Sequence, residues 1–376
     1  MTRSSGMPID AATLAELDRV WSTWAHSSLR QDAIRMTEQV HGYNPVDVAL
    51  QLDRVATRCA STSLDACSKV EQDRWPDLAS IVPERVLHVA ASTIPGLVVE
   101  SICHTLALGS DVMVRPSSRE CVLAPWREHL QSIRSPLAER IAVCTTVPSA
   151  GFDAAVVFGT DATVEAIRAR LHEAAGAGAP LAEYGSRAGI ALIDAGACDD
   201  PEAWHDQVCS DIGMFLQRGC MSPSHVLVVG DVADADREGV RSLMQQGMAR
   251  ALRRHQSHDT HQFDALARRS AMDAETLDQL FDASRVAAGP LSVRLEFCPH
   301  DAALSEQLEH MRTVLQTAVI VAATDMRRNE LSEIAEHAGC SRVCNPGQAH
   351  DQAADWPHDG IGWFAPLLGT EVSQTR

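Results

Sequence analysis

Lysine is almost missing from this chain of 376 residues: Lys69 is the only one, and arginine supplies nearly all the positive charge. Such a bias reflects the composition of the source genome and points to no activity. Positive charge of any kind is scarce, with a formal net charge of −18 at pH 7. No basic face can dominate that balance, which excludes a nucleic-acid partner. An anionic cofactor is still compatible with it, held by a few placed cations or backbone N–H groups. Aromatic residues make up only 4% of the chain, so an apolar tunnel would have aliphatic walls. Long apolar runs are absent too: "TAVIVAA" at 317–323 falls far short of the roughly 20 residues that span a bilayer. The opening "MTRSSGMPID" lacks the apolar centre of a signal peptide. These absences point away from membrane insertion and toward a cytoplasmic protein with reduced cysteines. No internal repeat, low-complexity segment or G-x-G-x-x-G fingerprint is present, so an ordinary dinucleotide fold lacks its main sequence support.

What is there suits a globular protein with a full core. Hydrophobic residues make up 45% of the chain, and its length allows two domains or one large α/β unit with a second lobe. Most of the 11 cysteines read as small buried hydrophobes. Cys340 and Cys344 are spaced CxxxC, and His255, His258 and His261 cluster in sequence. Neither set makes a paired metal-ligand pattern, so no metal is expected and the histidines read as a polar exposed segment.

Residues 11–75 read as helical, with Asn44-Pro45 as a start signal for the helix carrying Val46, Leu50 and Val55. From about 84 short strands alternate with helices. "RVLHVAA", "DVMVR", "IAVCTT" and "AAVVF" are strands; "GLVVESICHTLALG" and "DATVEAIRARLHEAAG" are helices. This βαβ punctuation predicts a parallel, doubly wound sheet. A second α/β lobe starts near 184 with the strand "GIALID". The spacing then predicts a helix from Trp204 with Val208, Ile212 and Phe215 on one face, stopping at Gly219. Strands "HVLVVG", "SVRLEF" and "AVIVAA" follow. The expected fold is α/β with two doubly wound parallel-sheet lobes. Its expected segments are a helical one at 1–75, lobes at 76–183 and 184–345, and a loop-rich end at 346–376 that packs back between the lobes.

Three stretches carry candidate chemistry. In "QRGCMSPS" Cys220 sits in a turn between Gly219 and Ser222-Pro223, ahead of a strand. Placed after a helix C-terminus, its thiolate would be opposed by the helix dipole and would need activation from elsewhere. In "VVFGTDATVEAIR" a strand meets a helix at Gly159, with Thr160 and Asp161 as caps, a turn that suits an anion. In "MVRPSSRE" a strand ends at Arg115, followed by Ser117, Ser118, Arg119 and Glu120. Hydroxyls and guanidiniums there suit an adenosine ribose and its phosphate. The lack of a carboxylate at Ser118 favours NADP over NAD, with Glu120 near enough to count against it.

Taken in order, these stretches resemble the LuxC-type acyl reductases, the fatty-acyl reductases of bacterial bioluminescence within the aldehyde dehydrogenase superfamily. The resemblance runs from about residue 41 to 369. It rests on "HGYNPVDVALQLD", "AASTIPGLVVESICHTLALGSDVMVRPSS", "VVFGTDATVEAIR", "EYGSRAGIALID", "DIGMFLQRGCMSPSHVLV", "LQTAVIVA" and "WPHDGIGWFAPLL". It implies an aldehyde-dehydrogenase-like fold with a nicotinamide-binding lobe, a thiol lobe and an active site between them. Cys220 falls on the family nucleophile, and Glu183 on the glutamate that activates water in hydrolytic members. Thr93 stands near the position of the superfamily's oxyanion-hole Asn. Arg115, Ser117 and Ser118 fall at the adenosine ribose, Gly159 and Thr160 at the pyrophosphate. Glu296 in "LEFCP" resembles the Glu-x-Phe ribose contact, one residue out of step.

The resemblance implies reduction of an acyl thioester, acyl-CoA or acyl-carrier protein, to an aldehyde. NADPH would be the reductant and an acyl-Cys220 thioester the intermediate. Partners would be that thioester and an acyl-activating or acyl-transferring protein, with a homo-oligomer left open. The alternatives are an NAD(P)-dependent aldehyde dehydrogenase in which Glu183 activates water, and a non-catalytic scaffold subunit of an acyl-reductase complex.

Overall fold

The computed structural model describes residues 7–78, 81–176, 178–199, 201–257 and 285–369. The chain divides into two compact units. The first takes in the chain up to His41, Val48–Ser186 and the C-terminal stretch from Ala353; the second takes in Gly42–Asp47 and Arg187–Gln352.

The first unit begins with helices α1 (Ala11–Trp24), α2 (Ser28–His41), α3 (Pro45–Arg58, its first turn counted with the second unit) and α4 (Ser61–Arg74). Asp10 caps α1 by accepting the Ala12 N–H at 3.1 Å. Next come β1 (Arg85–Val89), α5 (Leu97–Ala107), β2 (Asp111–Arg115), α6 (Leu123–Ser132), β3 (Ile141–Val143), β4 (Ala154–Phe158), α7 (Asp161–Ala175) and β5 (Leu181–Tyr184). The strands form one parallel sheet in the order β3-β2-β1-β4-β5. All of β4, and β1 after its first residue, are buried, as expected of parallel strands covered on both faces.

Several buried polar groups in this unit are paired. Arg58 on α3 meets Glu100 on α5 in a two-pronged bond of 2.6 and 2.7 Å. His88, fully buried on β1, lies between the hydroxyls of Ser101 and Thr105, each at 3.0 Å. The C-terminal stretch closes the unit. The Glu71 carboxylate accepts N–H groups from Trp363, Phe364 and Ala365 at 2.6, 2.9 and 2.8 Å. Burial pushes the Glu71 carboxyl up, against the pull of those three donors. Gly362, at φ +84°, must lack a side chain because a Cβ there would collide with that carboxylate.

The second unit contains β6 (Ala188–Asp194), α8 (His205–Gly213), β7 (Pro223–Val229), α9 (Asp234–His255), β8 (Arg285–Ala288), β9 (Leu291–Cys298), α10 (Asp301–Glu309), β10 (Leu315–Val321), α11 (Asp325–His337) and β11 (Arg342–Cys344). Its sheet runs β11-β10-β6-β7-β9-β8, parallel except for β8. One face packs Ile193, Val226 and Val228 on Val208 and Ile212 of α8 and Met244 and Met248 of α9. The other packs Leu192, Leu227 and Ile320 on Leu304 and Leu308 of α10 and Leu331 of α11. Both sheets are therefore the doubly wound α/β type that the alternation of strands and helices predicts. Among the described residues no helix is long and apolar enough to cross a membrane.

Two local expectations are corrected. The helix from Trp204 does not run to Gly219: α8 ends at Gly213, and Phe215 leaves its apolar face. The periodic spacing of Phe215 is satisfied by burial in a turn instead. His255 is not exposed; it is 4% accessible, bonded to Ser210 at 2.8 Å and Asp47 at 2.7 Å. His258 and His261 lie outside the described residues.

Candidate active site

In the first unit β1 leads to β2 and β3 on one side, and the chain then returns to lay β4 and β5 on the other. The order reverses between β1 and β4. Open α/β sheets bind ligands outside the carboxyl ends of their strands at such a reversal. Thr93 is exposed in the loop after β1, and Gly159 and Thr160 follow β4, so these three flank the reversal. Arg115 ends β2, which lies beside β1, and Ser117 and Ser118 follow it. The hydroxyl of Ser92 donates to Ser117 at 3.2 Å and ties the two loops together. Ser92 was not among the residues singled out, although it stands next to Thr93 in the same quoted stretch.

The donor set along this edge fits a dinucleotide phosphate. Thr160 caps α7 by accepting the Thr163 N–H at 3.3 Å. The N–H groups of Asp161 and Ala162, in the first helical turn, have no acceptor within the helix. A Cβ at Gly159 would stand 3.0 Å from that of Thr163, so the turn keeps bare backbone where a phosphate would approach. Asp161 brings a carboxylate to the same turn, and it accepts the Ser186 N–H at 2.8 Å. Glu120, the acid that counted against a 2′-phosphate, is turned away. Its carboxylate caps α6, accepting the N–H groups of Val122 and Leu123 at 2.8 Å each. Burial there pushes its carboxyl up. Arg119 is partly committed, donating to the Val40 carbonyl at 2.8 Å.

Glu183 lies on β5, its carboxylate gripped by Arg168 of α7 through Nε at 2.8 Å and Nη2 at 2.5 Å.

Cys220 and Glu296 belong to the second unit. Glu296 on β9 pairs with Arg294 at 2.8 Å. Eight of the eleven cysteines are buried, leaving Cys144, Cys198 and Cys220 partly exposed. Burial pushes the thiols of Cys209 and Cys340 up to about 12, and those of Cys298 and Cys344 to about 11. Such thiols are inert near neutral pH. Burial also pushes Cys144 up.

The backbone around Cys220 is unusual. Phe215, Leu216 and Gln217 take φ values of 52, 53 and 59°, three consecutive non-glycine residues in the left-handed region. Each such residue costs roughly 1–2 kcal/mol, so the surroundings must impose the turn. Phe215 packs edge-on against His350, with ring centroids 5.6 Å apart, and 5.4 Å from the Tyr43 ring. His350 Nε2 lies 3.2 Å from the Asp211 carbonyl near the end of α8 and 3.1 Å from the Ser222 hydroxyl. Asp211 accepts the N–H groups of Gly347 and Ala349 at 2.7 and 3.1 Å, and burial pushes its carboxyl up to about 7. The Ser222 N–H donates to the Gly219 carbonyl at 3.1 Å, which puts Cys220 and Met221 at the centre of a tight turn. Beneath it lies Gly189 of β6: a Cβ there would stand 2.5 Å from the Met221 carbonyl oxygen. The ladder between β6 and β7 slips by one residue between Gly189 and Ile190, leaving Ser224 as a bulge just after the turn. With the helix ending at Gly213, the dipole opposing a Cys220 thiolate recedes beyond the last turn, where its effect fades.

The sequence profile described as acyl-CoA reductase (LuxC) matches residues 7–291 and 286–368. The chain belongs to this family. No curated protein sequence matches it. Among solved structures it is similar to aldehyde dehydrogenase 21 from Physcomitrella patens, at 12% identity and TM-score 0.64, covering 95% of this chain and 84% of that one. It is likewise similar to an NAD-dependent benzaldehyde dehydrogenase from Corynebacterium glutamicum, at 13% identity and TM-score 0.60, covering 92% and 82%. A gamma-glutamyl-gamma-aminobutyraldehyde dehydrogenase from Burkholderia cenocepacia aligns at 14% identity and TM-score 0.63, covering 92% and 78%. This LuxC-family chain therefore has the aldehyde-dehydrogenase fold.

One expectation is corrected by those likenesses. The resemblance implied an NADPH-consuming reductase that forms an aldehyde. The solved relatives named above are dehydrogenases, named for the oxidation of aldehydes. The aldehyde-forming direction is not upheld, and the aldehyde dehydrogenase alternative accords better with them.

Proposed function

We infer that this chain is an NADP-dependent aldehyde dehydrogenase that carries its acyl group as a thioester on Cys220. The observation that carries this reading is the setting of Cys220. It is one of three partly exposed thiols, presented on a tight turn that a strained backbone and a buried polar cluster hold in place. Bound along the carboxyl edge of the first sheet, NADP supplies the two-electron acceptor that aldehyde oxidation requires. Arg115 and Ser118, with Glu120 turned into its helix cap, support the 2′-phosphorylated form over NAD.

The chain's own residues do the rest. The Cys220 thiolate adds to the aldehyde carbon, and the resulting oxyanion takes a hydrogen bond from the Cys220 N–H. Once the carbon has lost its hydrogen with both bonding electrons, the carbonyl re-forms as a thioester on Sγ. Water then adds to that thioester and loses a proton to solvent, and the acid departs as the thiolate is regenerated. A serine at 220 would leave an oxygen ester, a poorer acyl donor to water.

The test mixes the purified chain with medium- and long-chain aldehydes and NADP⁺, following absorbance of the reduced cofactor. The expected result is turnover that Cys220→Ala abolishes. Full turnover by that variant sinks the reading.

A further inference from the structure

Gln217 has a side-chain role that neither the family resemblance nor the reaction scheme assigns. Its Nε2 donates to the Pro223 carbonyl at 2.9 Å and to the Ser292 carbonyl at 2.8 Å, while its Oε1 accepts the Ser292 N–H at 2.8 Å. Two carbonyls on one atom and an N–H on the other fix which way the carboxamide faces. Strands β7 and β9 pair from His225 and Arg294 onward. Counting back two residues along each strand places Pro223 opposite Ser292. The paired register begins only at His225 and Arg294, so Pro223 and Ser292 form no backbone rung. The Gln217 carboxamide takes its place, a side-chain rung that starts the ladder.

The consequence falls on Cys220. Gln217 and Pro223 bound the segment that carries it, and the bond between them closes that segment into a ring through one side chain. The second tie, to Ser292, anchors the ring to the amino end of β9. Within the ring the Ser222 N–H bonds the Gly219 carbonyl, and Gly189 leaves room for the Met221 backbone to lie flat on β6. Gln217 is also the last of the three left-handed residues, so its side chain holds the strained turn at the point where the chain leaves it.

We propose that Gln217 is a positioning residue, a carboxamide clasp that sets the orientation of the Cys220 turn without touching substrate. The role rests on Cys220 being the nucleophile, while the clasp itself can be examined separately. Gln217→Glu keeps the length and an acceptor but loses both donors; Gln217→Met keeps the bulk and loses all three bonds. The full-length variants are treated with iodoacetamide across a pH series, and the rate is read at the Cys220 peptide by mass spectrometry. A displacement near 1 Å in a reacting group costs on the order of 100-fold in rate. Both variants are accordingly expected to lower kcat by tenfold or more while the KM for cofactor stays within about twofold. The Cys220 alkylation rate is expected to differ from wild type by tenfold or more across the pH series. A residue that merely stabilised the fold would lower the melting temperature and leave that rate in place. An alkylation rate and profile within about twofold of wild type in both variants overturns the clasp. Should neither variant fold, hydrogen exchange in the wild-type protein decides: a protected Ser292 N–H supports the clasp and an unprotected one refutes it. Cys220→Ala, run alongside, separates the two ideas, since its full turnover would refute the reaction scheme while the alkylation data still judge Gln217.

Discussion

Adding a single methyl group beneath the Cys220 turn, by Gly189→Ala, isolates the effect of its placement. Gly189 does not have a left-handed φ, so alanine brings no backbone strain and its effect is steric alone. The new Cβ would stand 2.5 Å from the Met221 oxygen, 2.8 Å from the Met221 carbonyl carbon and 3.0 Å from that of Ser222, where ordinary contact begins at 3.4 Å. All three obstacles are backbone, so no side chain can swing aside. The turn must rise by several tenths of an ångström to about 1 Å. Overpacking of this kind costs typically about 1–3 kcal/mol. A nucleophile misplaced by about 1 Å loses on the order of 100-fold in rate. Urea unfolding would measure the first quantity, and turnover with a saturating aldehyde the second. The expected outcome is a folded enzyme, modestly destabilised, with a large loss in kcat. Wild-type kcat in a variant with wild-type stability would refute the packing argument. Wild-type kcat in a destabilised variant would refute the link from turn placement to catalysis.

Other predictions address single groups. Burial presses His88 down to about 3, below its ordinary value of 6.5, so between those pH values the unfolded chain takes up a proton that the folded chain refuses. Its contribution is fully present above pH 6.5 and is lost as pH falls to about 3, by on the order of 5 kcal/mol. Unfolding free energies of wild type and His88→Gln should converge between pH 6.5 and 4; a constant difference contradicts this. Arg115→Ala should raise the KM for NADP⁺ by tenfold or more with little change for NAD⁺, a loss of about 1.4 kcal/mol or more. Equal effects on both cofactors would remove Arg115 from the 2′-phosphate.

The sheets were legible because burial on both faces writes itself as unbroken apolar runs. "RVLHV" and "AAVVF" became β1 and β4 with little adjustment. The capping role of Thr160 was legible for the same local reason, a hydroxyl at a strand-to-helix turn. The end of α8 was not. Phe215 continues the helical spacing of Val208 and Ile212, yet it is buried against Tyr43 and His350, residues far away in the chain. The partners of Gln217 and Glu183 were hidden in the same way. Ser292 lies 75 positions beyond Gln217, and Arg168 reaches Glu183 across 15 residues from another element. Glu120 was read as a threat to a phosphate because spacing shows proximity and not direction. Only the fold shows its carboxylate turned onto α6.

The central claim is that the acyl group rides on Cys220, and trapping it tests this most directly. The full chain is mixed with an aldehyde and NADP⁺, quenched in acid within a turnover, digested, and mapped by mass spectrometry. The account predicts one acylated peptide, spanning Cys220, whose mass reports the acyl chain, and no label in Cys220→Ala. An acyl group on a different cysteine, or turnover with no acylated peptide at any time point, would contradict it.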